Sequence, residues 1–289
     1  MSKIKIQENI DMFLCPICSK KMRYYDPGRI ACSDKHSFDL SRKGYINLLL
    51  SPAKTDYDKK LFESRNILFK NKFYEVMIEH VSTLILRQDF NTDMNSLKIL
   101  DAGCGEGSYI AQIVNCLSAR SAVNATGFGI DISKDAISIA SRNYPGLVWC
   151  VGDLTRLPFA DNRFNVVLSL LSPSNYAEFG RVISEDGILI KVIPGKSYLE
   201  ELRRYLYDDT DKENYSNQKV LEHFMRNFHA FDMQELRYKI PIEREALEHL
   251  VKMTPLAWRA PAEKVNDIRN SGIRHITIDL AVIAGTKKK

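Results

Sequence analysis

LKILDAGCGEG, residues 97–107, is the stretch whose reading decides the fold. It opens as a short apolar run of strand type and ends in three glycines, Gly103, Gly105 and Gly107, directly ahead of a helical pattern at 108–118. Glycines there let the backbone turn sharply and approach a ligand with no Cβ in the way. In an open α/β sheet such a loop lies at the carboxyl edge of the strands, where ligands bind. A dinucleotide loop of the G-x-G-x-x-G type is the competing assignment, but Gly107 comes one residue too early for that pattern.

Outward from this loop the chain alternates. Apolar runs at 125–131 (ATGFGID), 147–153 (LVWCVGD), 164–171 (FNVVLSLL) and 187–193 (GILIKVI) are separated by helical candidates near 133–142 and 174–184. Strands alternating with helices imply parallel βαβ units and a doubly wound α/β sheet. The last stretch differs: 235–242 and 274–285 read as strands around a helical segment at 243–253, an antiparallel pair closing the sheet edge. Asp131 ends the second strand, where a carboxylate can accept hydrogen bonds from both hydroxyls of a ribose. Asp153 ends the third, placed to meet an adenine amino group with Leu154 against the ring. Ahead of the sheet, apolar residues from Leu61 to Ile85 keep helical spacing and predict one helix over about 61–87.

The N-terminal end carries a second motif. Cys15, Cys18, Cys32 and His36 are spaced C-x2-C-x13-C-x3-H. A two-residue gap lets neighbouring thiolates converge on one ion, and three thiolates with an imidazole close a tetrahedral shell around Zn²⁺ with no position left for substrate. The expectation is one structural zinc, with Tyr24, Tyr25 and Phe38 as the small hydrophobic filling of the knuckle. The chain thus divides into a zinc-binding domain (1–50), a linker and helical segment (51–96, opening with the polar SPAKTDYDKK) and the glycine-loop domain (97–289).

At 289 residues and 45% hydrophobic content the chain can fill a large core plus a small one. No apolar run approaches the roughly 20 residues of a membrane span, and MSKIKIQENIDMF lacks the apolar stretch of a signal peptide. Cys104, Cys116 and Cys150 are scattered through α/β segments, which suggests reduced thiols. A cytoplasmic location is expected. Residues 1–60 hold 12 Lys+Arg against 7 Asp+Glu, whereas the rest carry 29 of each, so the whole excess of +5 sits on the zinc lobe and its flank. A positive lobe on a neutral body suits an anionic partner, nucleic acid first in line. Lys287, Lys288 and Lys289 read as a disordered, solubilising tail.

The D-x-G-C-G-x-G loop, the strand-end acid Asp131 and the GD-L pair at 152–154 together resemble the Rossmann-like S-adenosylmethionine-dependent methyltransferases. The wider order is more specific. The knuckle, FDLSRKGYINLL (38–49), the glycine loop and MTPLAWR (253–259) resemble the RlmA family of 23S rRNA guanine-N1 methyltransferases across nearly the whole chain. That resemblance implies methyl transfer from S-adenosylmethionine to ring nitrogen 1 of a guanine in the helix 35 hairpin loop of 23S rRNA, with an effect on macrolide susceptibility in some members. It implies zinc on Cys15, Cys18, Cys32 and His36, cofactor contacts from Tyr74, Asp101, Gly103, Gly105, Glu106, Gly107, Asp131, Asp153 and Leu154, and a homodimer sharing a cleft. Tyr198 stands where relatives can carry a cofactor-contacting His.

Ring nitrogen 1 carries a proton and lies on the Watson–Crick edge, so the guanine must be unpaired and the proton accepted. Leu171-Ser172-Pro173-Ser174 ends the fourth strand where amino-methylating relatives use N-P-P-Y, and the missing Asn and aromatic argue against amine methylation by that device. Trp258 and Arg259 suit base stacking and phosphate contact, although a Trp between apolar residues equally suits a core. His223 and His229 read as ordinary residues of one helical stretch. No catalytic residue is identified. A small-molecule methyltransferase with a purely structural zinc lobe, or a binding protein without turnover, are the alternatives.

Overall fold

The computed structural model describes residues 2–52, 58–90, 97–121, 124–207 and 217–288. Helix α1 (Ser2–Glu8) runs through a 3-10 turn into three antiparallel strands, β1 (Met22–Tyr25), β2 (Arg29–Cys32) and β3 (Ser37–Asp39), and then the two-residue strand β4 (Ile46–Asn47). Helices α2 (Lys59–Lys70) and α3 (Glu75–Leu86) follow. The alternating part comprises β5 (Lys98–Ala102), α4 (Ser108–Arg120), β6 (Thr126–Asp131), α5 (Lys134–Asn143), β7 (Val148–Val151), β8 (Phe164–Leu170), α6 (Tyr176–Val182) and β9 (Ile183–Pro194). Then come α7 (Glu200–Tyr207), α8 (Gln218–Asn227), β10 (Phe228–Pro241), α9 (Arg244–Met253), α10 (Ala262–Asn266) and β11 (His275–Lys287).

One sheet takes eight of these strands in the order β10-β11-β9-β8-β5-β6-β7-β4. Pairing is parallel from β9 to β4 and antiparallel for β9–β11 and β11–β10. All residues of β7 and β8 are buried, as expected of strands covered on both faces, which is why they read as mainly apolar runs without alternation, broken in β8 only by Asn165 and Ser169. Order reverses at β5, between β6 and β8, so the loop after β5 opens at the switch point where such sheets bind ligands. Among the described residues, no helix is long and apolar enough to cross a membrane.

The zinc lobe is stitched to this sheet. Ile46 and Asn47 pair with Cys150 and Val151 of β7, and Leu48 N–H donates to Val151 O at 2.9 Å. Leu14 N–H donates to Pro158 O at 3.0 Å, and the Phe13 and Phe159 rings lie 5.3 Å apart. Strand β4 was invisible in the sequence because two residues carry no periodicity.

Several expectations need correction. The helix predicted over 61–87 is two helices. Asp58 caps the first, accepting from Leu61 N–H at 2.8 Å, a contact worth about 1 kcal/mol. It ends in a Schellman turn: Phe73 N–H reaches Leu68 O, Lys72 N–H reaches Phe69 O, and Lys72 takes φ 61°. Leu68 and Phe73 are both buried, so the apolar face continues through the break and periodicity alone cannot see it. Residues 53–57 of the polar stretch lie outside the described residues, and Lys59 and Lys60 belong to α2. Strand β10 starts at Phe228, so His229 is an exposed strand residue. Lys287 ends β11 and donates to Asn162 at 2.9 Å with Glu185 nearby; Lys289 lies outside the described residues. Tyr25 is exposed, and the lobe is filled instead by Met12, Phe13, Met22, Ile30 and Leu40, with Tyr24 and Phe38 partly buried against them.

Candidate functional site

The chain leaves β5 at Ala102 and folds back on the end of β6. Gly103 and Cys104 N–H both donate to Ile130 O, at 2.9 and 3.0 Å, and Gly105 N–H donates to Asp131 Oδ2 at 2.9 Å. Gly103, Gly105 and Gly107 take φ of 82°, 56° and 82°, the left-handed region that strains any residue with a Cβ. Space is as restrictive as conformation, since a Cβ on Gly107 would sit 2.3 Å from the Trp149 ring. Trp149 is fully buried under the loop, with Nε1 donating to Tyr144 O at 2.9 Å.

Charge converges on this loop. Asp101 is 1% exposed, and neither of its carboxylate oxygens has a hydrogen-bond partner among the described residues. Burial, with Asp131 and Glu106 nearby, pushes its pKa up to about 8. Glu106 is equally buried; its Oε2 lies 4.0 Å from Arg65 Nη1, an ion pair too long for a hydrogen bond. Burial raises both the Glu106 and the Asp131 carboxyls above their usual range. Asp131 is held in place by Gly105 N–H and by Ser133 N–H at 2.8 Å. Burial works against the Arg65 charge, yet Tyr109, Glu106, Tyr74 and Asp131 around it raise its pKa, so the guanidinium stays charged. Three buried acidic side chains beside one base leave this pocket suited to a ligand with positive charge, which would favour the ionised form of Asp101 that burial alone disfavours. Arg65 was missed in the sequence because it is one polar residue within an amphipathic helix.

The aromatic and third-strand residues complete the rim. Tyr74, buried at the start of α3, meets Tyr198 hydroxyl to hydroxyl at 2.7 Å, and its ring packs edge-on against Tyr109 at 5.3 Å. Asp153 lies just beyond β7, its Oδ1 accepting from Thr155 N–H at 2.8 Å, with Leu154 beside it. The Leu154 side chain comes within 3.7 Å of where a Gly103 Cβ would lie, so the third-strand pair and the glycine loop face one space.

A second space opens beyond the loop. It is a cavity of about 550 Å³, floored by the end of β9 and the 171–174 turn and walled by Tyr176, Lys219, His223 and Met253-Thr254-Pro255; Arg65, Tyr74 and Tyr198 join it to the glycine loop. Ser172 links the two spaces, its Oγ donating to Ala102 O at 2.8 Å. Lys191 is 4% exposed and donates from Nζ to Ser169 Oγ at 3.1 Å and to Ser172 O. Burial lowers its pKa to about 8. The signal for it was present: a lone lysine within the apolar run GILIKVI must find a polar niche. His223, expected to be an ordinary helix residue, stands in this wall with its ring 4.8 Å from that of Tyr176. Trp258, 45% exposed, is not a core residue.

In the N-terminal lobe the ligand atoms of Cys15, Cys18, Cys32 and His36 all lie within 4.8 Å of one another. Cys18 and Cys32 Sγ are 3.6 Å apart, and His36 Nδ1 is 3.5 Å from the sulfurs of both Cys15 and Cys32. A tetrahedron of zinc–sulfur bonds near 2.3 Å has edges of roughly 3.8 Å, so the set fits zinc with side-chain adjustments of no more than about 1 Å. Two tight turns aim the ligands, with Ser19 and Lys35 in the left-handed region. Ser19 Oγ also accepts from Arg156 at 2.9 Å, a further tie between knuckle and sheet.

Residues 13–55 match the family model for the N-terminal zinc ribbon of RlmA, and residues 93–235 match that of a methyltransferase domain. The chain is 41% identical over 281 residues to a Bacillus subtilis protein named as a candidate 23S rRNA (guanine-N(1)-)-methyltransferase, YxjB, covering 96% of this chain and 98% of that one. It is 26% identical to the 23S rRNA (guanine(748)-N(1))-methyltransferase of Streptomyces fradiae, over 95% and 97% of the two chains. A chain from the solved complex of the Haloferax volcanii Trm112 activator with a candidate methyltransferase shares the fold, with a TM-score of 0.51 at 17% identity over 82% of this chain and 100% of that one. With its zinc ribbon, its glycine-loop sheet and a relative matched end to end, the chain belongs to the RlmA family of zinc-containing, S-adenosylmethionine-dependent methyltransferases.

Proposed function

We propose that this protein transfers a methyl group from S-adenosylmethionine to ring nitrogen 1 of a guanine in a 23S rRNA hairpin loop. The observation that carries the reading is the end-to-end 41% identity to the Bacillus subtilis relative, joined to a site of matching chemistry. When bound, S-adenosylmethionine supplies an electrophilic methyl group on a sulfonium, so the protein mainly aligns donor and acceptor.

Each residue of the loop has a task in this reading. Asp101 and Glu106, buried with unpartnered oxygens, hold the positive end of the donor, because buried acceptors without partners are costly. Asp131 meets the ribose hydroxyls, and Asp153 with Leu154 meets the adenine. Tyr74 and Tyr198 close the side facing the second cavity. The glycines let the backbone come close to the ligand with no Cβ in the way.

The zinc ion holds the lobe's shape, and the basic excess of residues 1–60 supports a role in gripping RNA phosphates. A homodimer sharing a cleft around the hairpin belongs to the same reading, as does a cytoplasmic location beside the ribosome; sedimentation of the purified protein with and without hairpin checks the dimer. The central test uses purified protein, S-adenosylmethionine and unmodified 23S rRNA. A methyl group on N1 blocks base pairing, so reverse transcription should stop at one guanine only after incubation with both. Radiolabel entering a small molecule and no rRNA would favour the small-molecule alternative.

A further inference from the structure

The cavity beyond the glycine loop holds a buried amine that donor binding does not use. Among the described residues its lining includes no carboxylate: the titratable groups that share it with Lys191 are Arg65, Tyr74, Tyr176, Tyr198, Lys219 and His223. Methylation of N1 needs an acceptor for the proton that nitrogen carries. The buried carboxyls of Asp101 and Glu106 lie at the glycine loop and are absent from the cavity lining.

We propose that Lys191, as the neutral amine, is the general base that takes the N1 proton of the acceptor guanine in this cavity. The inference rests on the guanine-N1 reading above. A neutral lysine has two hydrogens and one lone pair. Ser169 Oγ and Ser172 O accept the two hydrogens, which leaves the lone pair without a partner in those contacts, and Lys191 is part of the cavity lining. Ser172 O is thereby occupied, so the 171–174 turn, with Leu171 at φ 53°, serves as a bracket for the amine. In the step, the N1–H bond breaks and its proton goes to Nζ. The N1–CH3 bond forms with the electron pair left on nitrogen, and the S–CH3 bond breaks with its pair staying on sulfur. The single positive charge passes from sulfonium to ammonium, so charge balances. Burial favours the neutral amine, and its pKa near 8 is well matched to a base working close to neutrality.

The experiment measures single-turnover methyl transfer from saturating S-adenosylmethionine to a 23S rRNA fragment between about pH 6 and 9.5. The wild-type rate should rise about tenfold per pH unit and level off near 8. Lys191→Arg keeps a cation and hydrogen-bond donors but cannot become neutral. It should lose about 100-fold or more in rate, with cofactor affinity and the KM for RNA within about twofold of wild type. An arginine variant within tenfold of wild type would overturn the proposal and assign Lys191 a purely electrostatic or structural role. His223→Ala should keep the inflection; its disappearance there would move the base to His223. Independently of turnover, in protein carrying 13Cε-lysine, one resonance missing from Lys191→Arg should titrate near 8, and a midpoint above about 9.5 would sink the idea. A wild type with no activity on guanine N1 would overturn the guanine reading and the base role together, while the resonance near 8 would still report the perturbed amine.

Discussion

The phenols of Tyr74 and Tyr198 share a hydrogen bond of 2.7 Å across 124 residues of sequence, tying the start of α3 to the turn before α7. Both residues line the second cavity. Tyr74→Phe and Tyr198→Phe should each lower stability by about 1 kcal/mol in urea titrations. The double variant should lose no more than the larger single loss, because either substitution already breaks the bond. Strictly additive losses would show that the pair is not coupled.

Gly107 and Gly129 both border Trp149, where an added Cβ would lie 2.3 and 2.2 Å from the ring. Each Ala substitution should cost about 2 kcal/mol or more by overlap alone. Combining with Trp149→Leu separates them: the Gly129→Ala penalty should shrink, whereas Gly107→Ala keeps the strain of φ 82°. Equal rescue at both sites would mean that backbone conformation is not what demands Gly107.

Asp101 gives a pH signature. Its pKa is raised from 3.8 to about 8, so the folded chain holds the proton over a range in which the unfolded chain has released it. The wild type therefore loses stability as pH rises from about 4 to 8. Asp101→Asn removes that dependence, so its stability relative to wild type should grow across the same window in pH-resolved melts. The same variant should bind S-adenosylmethionine about tenfold more weakly if the carboxylate holds the donor's positive end. A pH-independent stability difference would mean the carboxyl titrates normally.

Cys15→Ser combined with Cys18→Ser removes two of the four ligands that converge in the N-terminal lobe. Zinc content by atomic absorption should fall from one per chain to none, and methylation of rRNA should be lost while cofactor binding is largely kept. Unimpaired methylation by the zinc-free variant would separate the ribbon from RNA recognition.

Much of this architecture was legible in the sequence because it is local. The apolar runs at 125–131, 147–153 and 164–171 sit on β6, β7 and β8, and the glycines announce a turn that needs positive φ. What stayed hidden depends on contacts distant in sequence. Arg65 is one polar residue of a helix until the fold sets it against Glu106, and Lys191 acquires meaning only when Ser169 and Ser172 turn towards it. Trp258 was undecidable for the same reason: an apolar neighbourhood in sequence is not a neighbourhood in space, and the side chain is 45% exposed. The break between α2 and α3 escaped because Leu68 and Phe73 keep the apolar face intact across it.

Strand β4 carries a consequence for how the molecule can be divided. Ile46 and Asn47 cover the outer side of the end of β7, so a fragment beginning after residue 50 would bare the backbone of Cys150 and Val151, in a strand whose four residues are all buried and apolar. An uncovered hydrophobic edge of that kind recruits other chains. Excising the ribbon would yield an aggregating remnant instead of a minimal enzyme. The two halves, distinct in their motifs, thus share one sheet, and the methyltransferase half cut free would need a replacement strand at that edge.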